Sequence, residues 1–219
     1  MLAGSQRRLI EQMLQTKRAG LWKVVDVLAM PPIPPARLAG WLDERAAAAG
    51  VLFEGGLADT VVALARPRTR DVVQLARAVW DREQGAGWAV PGAEVGALEA
   101  LVREQSALYQ REWDRLKRGP RRILEVVAAI PDLRHLLGDE TLKAYRIGAK
   151  STVQSALQQL VEDELLVRAA GEGAGYAFDD PFFRRWVQVN AAANLGRTPP
   201  ALSAGPTSAE PGGHDAQRG

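Results

Sequence analysis

Apolar residues recur at intervals of three and four positions along most of the chain, which predicts amphipathic helices. In the first half, this pattern predicts helices over residues 5–18, 36–49, 57–65, 70–83 and 94–117. The proline run 31–35 cannot lie inside a helix and predicts a stiff connector, while Gly50 predicts a helix end. The block 33–117 is therefore predicted to be an all-helical bundle.

The second half of the chain shows a different order of elements. Helices are predicted over 121–130, 139–146 and 151–164, the last capped by Ser151 or Thr152, with Gly119 and Pro120 separating this block from the bundle. Two short β-prone runs, 165–168 and 176–178, follow and are joined by a glycine-rich segment. Three helices and a hairpin are the elements of a winged helix. The predicted fold class is mainly α, a helical bundle followed by a winged helix-turn-helix with a small β-hairpin wing.

Composition narrows the possible chemistry. The 219 residues carry a formal net charge of +2, no cysteine and two histidines. Thiolate chemistry is thereby excluded, a histidine metal site is not expected, and no apolar run is long enough to cross a bilayer. We expect a cytoplasmic protein without membrane contact. No arrangement of residues suggests a catalytic site, because Ser5 has no nearby histidine and the turn that holds His135 suits a structural role.

The third helix of the winged helix occupies the position of a recognition helix. Glutamine can pair with adenine in the major groove, and lysine can contact phosphate. Residues 118–190, however, hold ten Lys plus Arg against ten Asp plus Glu, whereas a duplex-binding domain is expected to be locally basic. Contact with a protein is therefore favoured and DNA stays an alternative. The candidate contact residues, either way, are Lys150, Thr152, Gln154, Ser155, Gln158 and Arg168.

Three arginines, Arg66, Arg68 and Arg70, lie around the predicted start of a helix. Cations at this end oppose the helix dipole, so their presence suggests that an anion balances them. A helix start with arginine side chains suits a phosphate group. The simpler interpretation is a solvated loop in which Asp71 is the partner. The arginine cluster alone leaves both open.

Two stretches of the chain resemble the archaeal-type ATPases of the AAA+/STAND group. Residues 151–166 resemble that family's recognition helix, with Glu164 in place of the usual glycine, and residues 178–186 resemble its F.DPFFRRW ending. Residues 67–77 are similar to its sensor-2 segment. The resemblance covers roughly residues 3–190. It implies a remnant of a P-loop core over 1–32, a helical lid over 33–118 and a winged helix over 119–190. The tail over 191–219 is predicted to be disordered, because it is rich in Pro, Gly, Ala and Ser and has no hydrophobic periodicity.

The resemblance also implies a nucleotide partner. By this match Arg70 would reach the γ-phosphate of ATP, with Arg68 and Arg66 as alternatives, and ATP with Mg²⁺ would be bound in the full-length family. The chain contains no G-x-x-x-x-G-K-[ST] motif and no acidic strand end for Mg²⁺. We therefore expect no enzyme activity and no cofactor bound by this chain alone. The expected partner is a missing or separate P-loop core.

Three hypotheses follow. The favoured one is a regulatory module, in which a lid and a winged helix transmit closure of the core, with the predicted long helix 94–117 as a lever. The alternative is a stand-alone winged-helix regulator of transcription that binds DNA. The third is a non-functional fragment that exposes Trp22, Trp41 and residues 24–27, which would otherwise pack against the core.

Overall fold

The computed structural model describes residues 33–65, 68–130, 136–168 and 175–191. The predictions for residues 1–32, Arg66, His135 and the tail from residue 192 lie outside these ranges. Within them, the first half of the chain forms five helices and two short strands. They are α1 (Pro35–Ala48), β1 (Leu52–Phe53), α2 (Leu57–Ala65), α3 (Thr69–Glu83), β2 (Trp88–Ala89), α4 (Ala93–Glu104) and α5 (Ser106–Arg115).

Helix α1 begins at Pro35 and ends before Gly50, as the proline run and the glycine predict. Pro35 occupies its first turn, where a missing N–H costs nothing. At its end, Gly50 has a φ of 85°, and the N–H of Val51 donates to the carbonyl of Ala46 at 3.0 Å. This is a Schellman ending, which requires a left-handed residue at the position of Gly50. The prediction that Gly50 stops the helix is confirmed.

The bundle is not all-helical. Strand β1 pairs in parallel with β2, with Leu52 opposite Trp88 and Phe53 opposite Ala89. Each strand has only two residues, too few for an alternating pattern to be recognised in a sequence. The pair ties the loop after α1 to the loop after α3.

The single long helix predicted over 94–117 is wrong. Gln105 ends α4 and precedes α5, with a φ of −91° and a ψ of 2°. The bend lets Tyr109 and Trp113 of α5 become buried in the common core. Apolar spacing continues across the bend, so the pattern alone could not reveal it. The proposed lever is therefore two helices.

The next three helices and two strands form the winged helix. They are α6 (Arg118–Ala129), α7 (Asp139–Ala144), α8 (Lys150–Glu162) and the antiparallel pair β3 (Leu166–Arg168) and β4 (Tyr176–Phe178). The predicted fold class, a mainly helical protein with a bundle and a winged helix, is confirmed. Gly119 and Pro120 do not separate the two parts, because they lie in the first turn of α6, where proline is tolerated.

Both ends of α8 differ from the usual pattern. The residue before its first turn is Ala149, and no side chain caps it, so the predicted capping by Ser151 or Thr152 is wrong. At the other end, the N–H of Leu165 donates to the carbonyl of Leu160 at 2.9 Å, which is again a Schellman ending. The left-handed position is held by Glu164, with a φ of 57°. The resemblance to the archaeal-type ATPases predicts glycine at this position.

A final helix, α9 (Pro181–Asn190), completes the fold and was not predicted. It contacts α2, α4 and α5 of the bundle as well as α6 and β4 of the winged helix. Its buried side chains include Phe182, Phe183, Trp186 and Val187. The buried residues of bundle and winged helix form a single hydrophobic core, since α9 packs against both.

Candidate functional site

The start of α3 meets the start of α9, and charged side chains from both helices interact there. The guanidinium of Arg68, just before α3, forms an ion pair with the carboxylate of Asp179, just before α9. We call this place the joint. It connects the arginine cluster with the aspartates of the Asp-Asp-Pro-Phe-Phe sequence, and its members are Arg68, Arg70, Asp71, Tyr109, Asp179 and Asp180.

Asp180 contacts both the first turn of α9 and a residue of the bundle. Its Oδ1 accepts hydrogen bonds from the backbone N–H groups of Phe182 at 2.7 Å and Phe183 at 3.0 Å, which is the geometry of an N-cap. Its Oδ2 lies 3.2 Å from the hydroxyl of Tyr109 on α5. Burial, followed by the charge of Asp180, raises the pKa of Tyr109 well above its usual range. Tyr109 therefore stays protonated and can donate to this carboxylate or to Gln105, which is 3.0 Å away.

Asp71, in the first turn of α3, is the most buried charged residue of the joint, with 1% of its side chain exposed. Its Oδ1 accepts a hydrogen bond from Nε of Arg70 at 2.9 Å. Its Oδ2 is buried and has no hydrogen-bond partner among the described residues. Burial raises the pKa of Asp71, an effect that the neighbouring Arg70 only partly opposes.

The charges of the joint bear on the predicted nucleotide contact. Two guanidinium groups, of Arg68 and Arg70, face three carboxylates among the described residues. Arg68 is engaged with Asp179, while the Arg70 side chain is 64% exposed. A phosphate would bring further negative charge to this excess of carboxylates. The described residues therefore do not make a phosphate site here by themselves, and Arg70 is the member whose guanidinium faces solvent.

Aromatic rings fill the space beneath the joint. The rings of Phe183 and Trp186 are stacked with their centroids 5.9 Å apart, and Tyr109 and Trp113 of α5 lie against them. The indole N–H of Trp186 donates to the hydroxyl of Ser106 at 2.9 Å. Each such buried aromatic adds a large apolar area, so the winged helix and bundle are held together by packing as well as charge.

A second ionic contact supports the same interface. Arg185 of α9 donates through Nε to Glu99 of α4 at 2.7 Å. The contacts of Tyr109, Glu99, Asp179, Asp180 and Arg185 could not be predicted from the sequence, because their partners lie far away along the chain. One local signal was available, since Asp followed by Pro is a common helix start and would have revealed α9.

The candidate recognition residues are all exposed. Lys150, Thr152, Gln154, Ser155 and Gln158 lie on α8, and Arg168 ends β3. Two of them already have partners within the helix. The Ser155 hydroxyl donates to the Ser151 carbonyl at 3.1 Å, and the Gln158 amide donates to Glu162 at 3.2 Å. Each of these six side chains is thus open to solvent.

An apolar groove runs between α1 and α3. It has a volume of about 330 Å³, and the side chains that line it include Trp41, Phe53, Val73 and Trp80. Trp41 is 41% exposed, which is high for a tryptophan that lines a cavity. Arg45 and Arg77 also line the groove, and the Arg45 guanidinium lies 5.6 Å from the Trp41 ring centroid. None of the groove-lining side chains in the described part of the chain is acidic.

Two other features were searched for in the described part of the chain. No group of three or more His, Asp or Glu side chains is arranged to hold a metal ion there. No helix in those ranges is long and apolar enough to cross a membrane.

The chain was compared with protein families, curated proteins and solved structures. Neither the curated proteins nor the solved structures gave a match. Residues 107–189 match one family model, which is described as a probable winged helix domain. The match begins within α5 and ends in α9, so it includes both helices that carry the aromatic rings beneath the joint. The three helices, the hairpin and this match together identify the second half of the chain as a winged helix domain.

Proposed function

We propose that this chain is a regulatory interaction module, in which a partner that binds the helical bundle acts on the winged helix through the joint. The observation that supports this most directly is the position of α3. Val73, Ala76, Arg77 and Trp80 of this helix line the apolar groove, and its first turn lies in the joint. If a partner in the groove displaced α3, the displacement would therefore change the contacts of Asp179 and Asp180.

We propose that the partner is a P-loop ATPase core, as the sequence resemblance implies. The exposed Trp41 and Val73 offer the apolar surface that such a core would cover. The nucleotide would belong to the core, since the joint has an excess of carboxylates. Within this proposal, Arg70 is the residue of the joint that would approach a core-bound nucleotide, because its side chain is 64% exposed although its Nε donates to Asp71.

The test pairs this chain with a candidate P-loop ATPase core, which is to be sought first in the nucleotide sequence upstream of Met1. We expect the chain to bind the core and to change its rate of ATP hydrolysis, while the chain alone hydrolyses none. Trp41→Ser with Val73→Asp should abolish binding. Arg68→Ala with Asp179→Ala should keep binding but lose the change in rate. Failure of the chain to bind the core would overturn the proposal.

A second function is supported by the exposed recognition residues of α8 and β3. A winged helix of this arrangement suits a DNA-binding regulator of transcription, with Gln154 and Gln158 toward bases and Lys150 toward phosphate. Its test is binding to a pool of duplex sequences at several salt concentrations. Lys150→Glu should weaken binding and reduce the salt dependence, whereas the groove variants should leave both unchanged.

A further inference from the structure

A cleft of about 690 Å³ lies in the winged helix, where the start of α6 faces the turn between α7 and α8. It is formed by two segments that are distant in the sequence. Among the described residues that line it, four are arginines, and Glu125 is the single acidic one. The charged residues of the cleft are Arg118, Arg121, Arg122, Glu125 and Arg146.

Two of the arginines are held in place by the protein. Arg122 donates through Nε to the Tyr145 carbonyl at 3.1 Å and through Nη1 to Glu125 at 2.9 Å. Arg121 donates to the Asp114 carbonyl at 3.0 Å, and its guanidinium lies 5.6 Å from the Trp113 ring centroid. The one acidic lining residue is therefore already paired. The Nε of Arg121 is buried and has no hydrogen-bond partner among the described residues.

The guanidinium groups of the other two arginines have no hydrogen bond or ion pair within the described ranges. Arg118 and Arg146 are both exposed, and they approach the cleft from its two sides. The described lining residues carry four positive charges and one negative charge, and Asp114, outside the lining, forms an ion pair with Arg121 (Nη2 to Oδ1, 3.6 Å). Positive charges placed this close repel one another, and an anion between them removes that repulsion.

Both sides of the cleft also adopt locally unfavourable structure. The first turn of α6 contains no acidic residue and no side-chain cap, while Arg118 and Arg121 bring positive charge to the end of the helix where the dipole disfavours it. Across the cleft, Arg146 has a φ of 50°, in the left-handed region that favours glycine. The fold would be more stable with glycine at position 146 and an acidic residue at position 118. Either replacement would remove a guanidinium group from the cleft.

We propose that this cleft is a binding site for a phosphate group, carried either by a nucleic acid strand or by a free phosphate compound. Planar guanidinium groups bind phosphate oxygens with paired N–H donors, and here two are positioned by the protein while two are free to close on the ligand. The proposal does not rest on the regulatory function above, because the cleft contains none of the residues of the groove or the joint.

The two phosphate sources are separated by two sets of probes. The first set is inorganic phosphate and tripolyphosphate, added to the complete chain at constant ionic strength and followed by thermal unfolding. The second is a fluorescein-labelled oligonucleotide, single-stranded or duplex, followed by anisotropy over a range of salt. Stabilisation by the small phosphates indicates a free phosphate ligand, and binding of the oligonucleotide alone indicates a strand.

The cleft variant is Arg118→Gln with Arg146→Gln. The matched control is Arg37→Gln with Arg111→Gln, which removes the same charge from two other exposed positions. Whichever probe binds the unchanged chain, we expect the cleft variant to weaken its binding by roughly tenfold or more, as for the loss of two charge-assisted contacts. For an oligonucleotide, the slope of log affinity against log salt should also fall by about two. The control should bind as the unchanged chain does.

A third variant separates binding from folding. Arg118→Glu should raise the melting temperature without ligand, because an acidic residue in the first turn suits the helix dipole, and it should also abolish binding. Two results would overturn the proposal. One is the absence of any effect of all probes on the unchanged chain, and the other is an equal loss of binding in the cleft variant and the control.

Discussion

Arg68 and Asp179 form an ion pair although they lie 111 residues apart in the chain. Arg68 precedes α3 of the bundle and Asp179 precedes α9 of the winged helix. About a third of the Arg68 side chain is exposed but only 12% of that of Asp179, so the carboxylate depends on this partner more than the guanidinium does. The pair joins the two parts of the fold at the place where their buried aromatic residues also meet.

Removal of either partner of this pair should lower the free energy of unfolding. We expect the loss to be larger for Arg68→Ala than for a typical surface ion pair, because Asp179, whose side chain is only 12% exposed, would then remain without this partner. A double-mutant cycle of Arg68→Ala and Asp179→Ala in urea should give a coupling energy of about 1 kcal/mol. Strict additivity of the two losses would contradict an energetic link across the joint.

The N-cap of α9 gives a second prediction. Asp180→Ala leaves the N–H groups of Phe182 and Phe183 without their acceptor and should lower the free energy of unfolding by about 1 kcal/mol. Asp180→Asn is the matched control, since its amide oxygen can still accept from the helix. If chemical denaturation gives equal losses for the two variants, capping is not the cause.

The left-handed residue after α8 gives a third. Glu164 is exposed, so its side chain makes no packing contribution that would justify a φ of 57°. Glu164→Gly should raise the free energy of unfolding by about 1 kcal/mol, because glycine adopts this conformation without steric cost. The control Glu162→Gly, within the helix, should lower it by about 1 kcal/mol. A decrease in both variants would show that the conformation of Glu164 is not unfavourable.

The buried Asp71 gives a prediction on pH. Its pKa is raised above the ordinary value of 3.8 by burial, with Arg70 and Arg68 opposing the shift and Asp180 adding to it. The folded state therefore binds this proton more tightly than the unfolded state does. The resulting stabilisation is fully present below pH 3.8 and is lost as the pH rises through the folded-state pKa.

The comparison with Asp71→Asn isolates this effect, because asparagine does not titrate. The free energy of unfolding of the unchanged chain, minus that of the variant, should fall as the pH rises above 3.8. Urea denaturation of both proteins over the acidic range measures this difference. A difference that grows with pH would mean that Arg70 stabilises the ionised carboxylate more than burial disfavours it.

Local chemistry was sufficient to predict most helices. The end of α1 follows from Gly50 and its start from Pro35, and the predicted range of α2 agrees with the observed Leu57–Ala65. These features depend on contacts within four or five residues, which the pattern of the chain records. The exposure of Trp41 was expected as well, although the groove that it lines with Trp80 was not.

The sequence by itself determined most of the helical segments and the order of helices and hairpin that makes a winged helix, but it revealed neither the break at Gln105 nor helix α9. Only the tertiary structure decided what the charged residues do. Both the sequence pattern and the structure place Arg68 just before a helix, but its partner Asp179 is brought near by the packing of α9. In the same way, Arg118 and Arg146 share a cleft because α6 packs against the α7–α8 turn. Such pairings depend on the shape of the common core, and no local spacing encodes them.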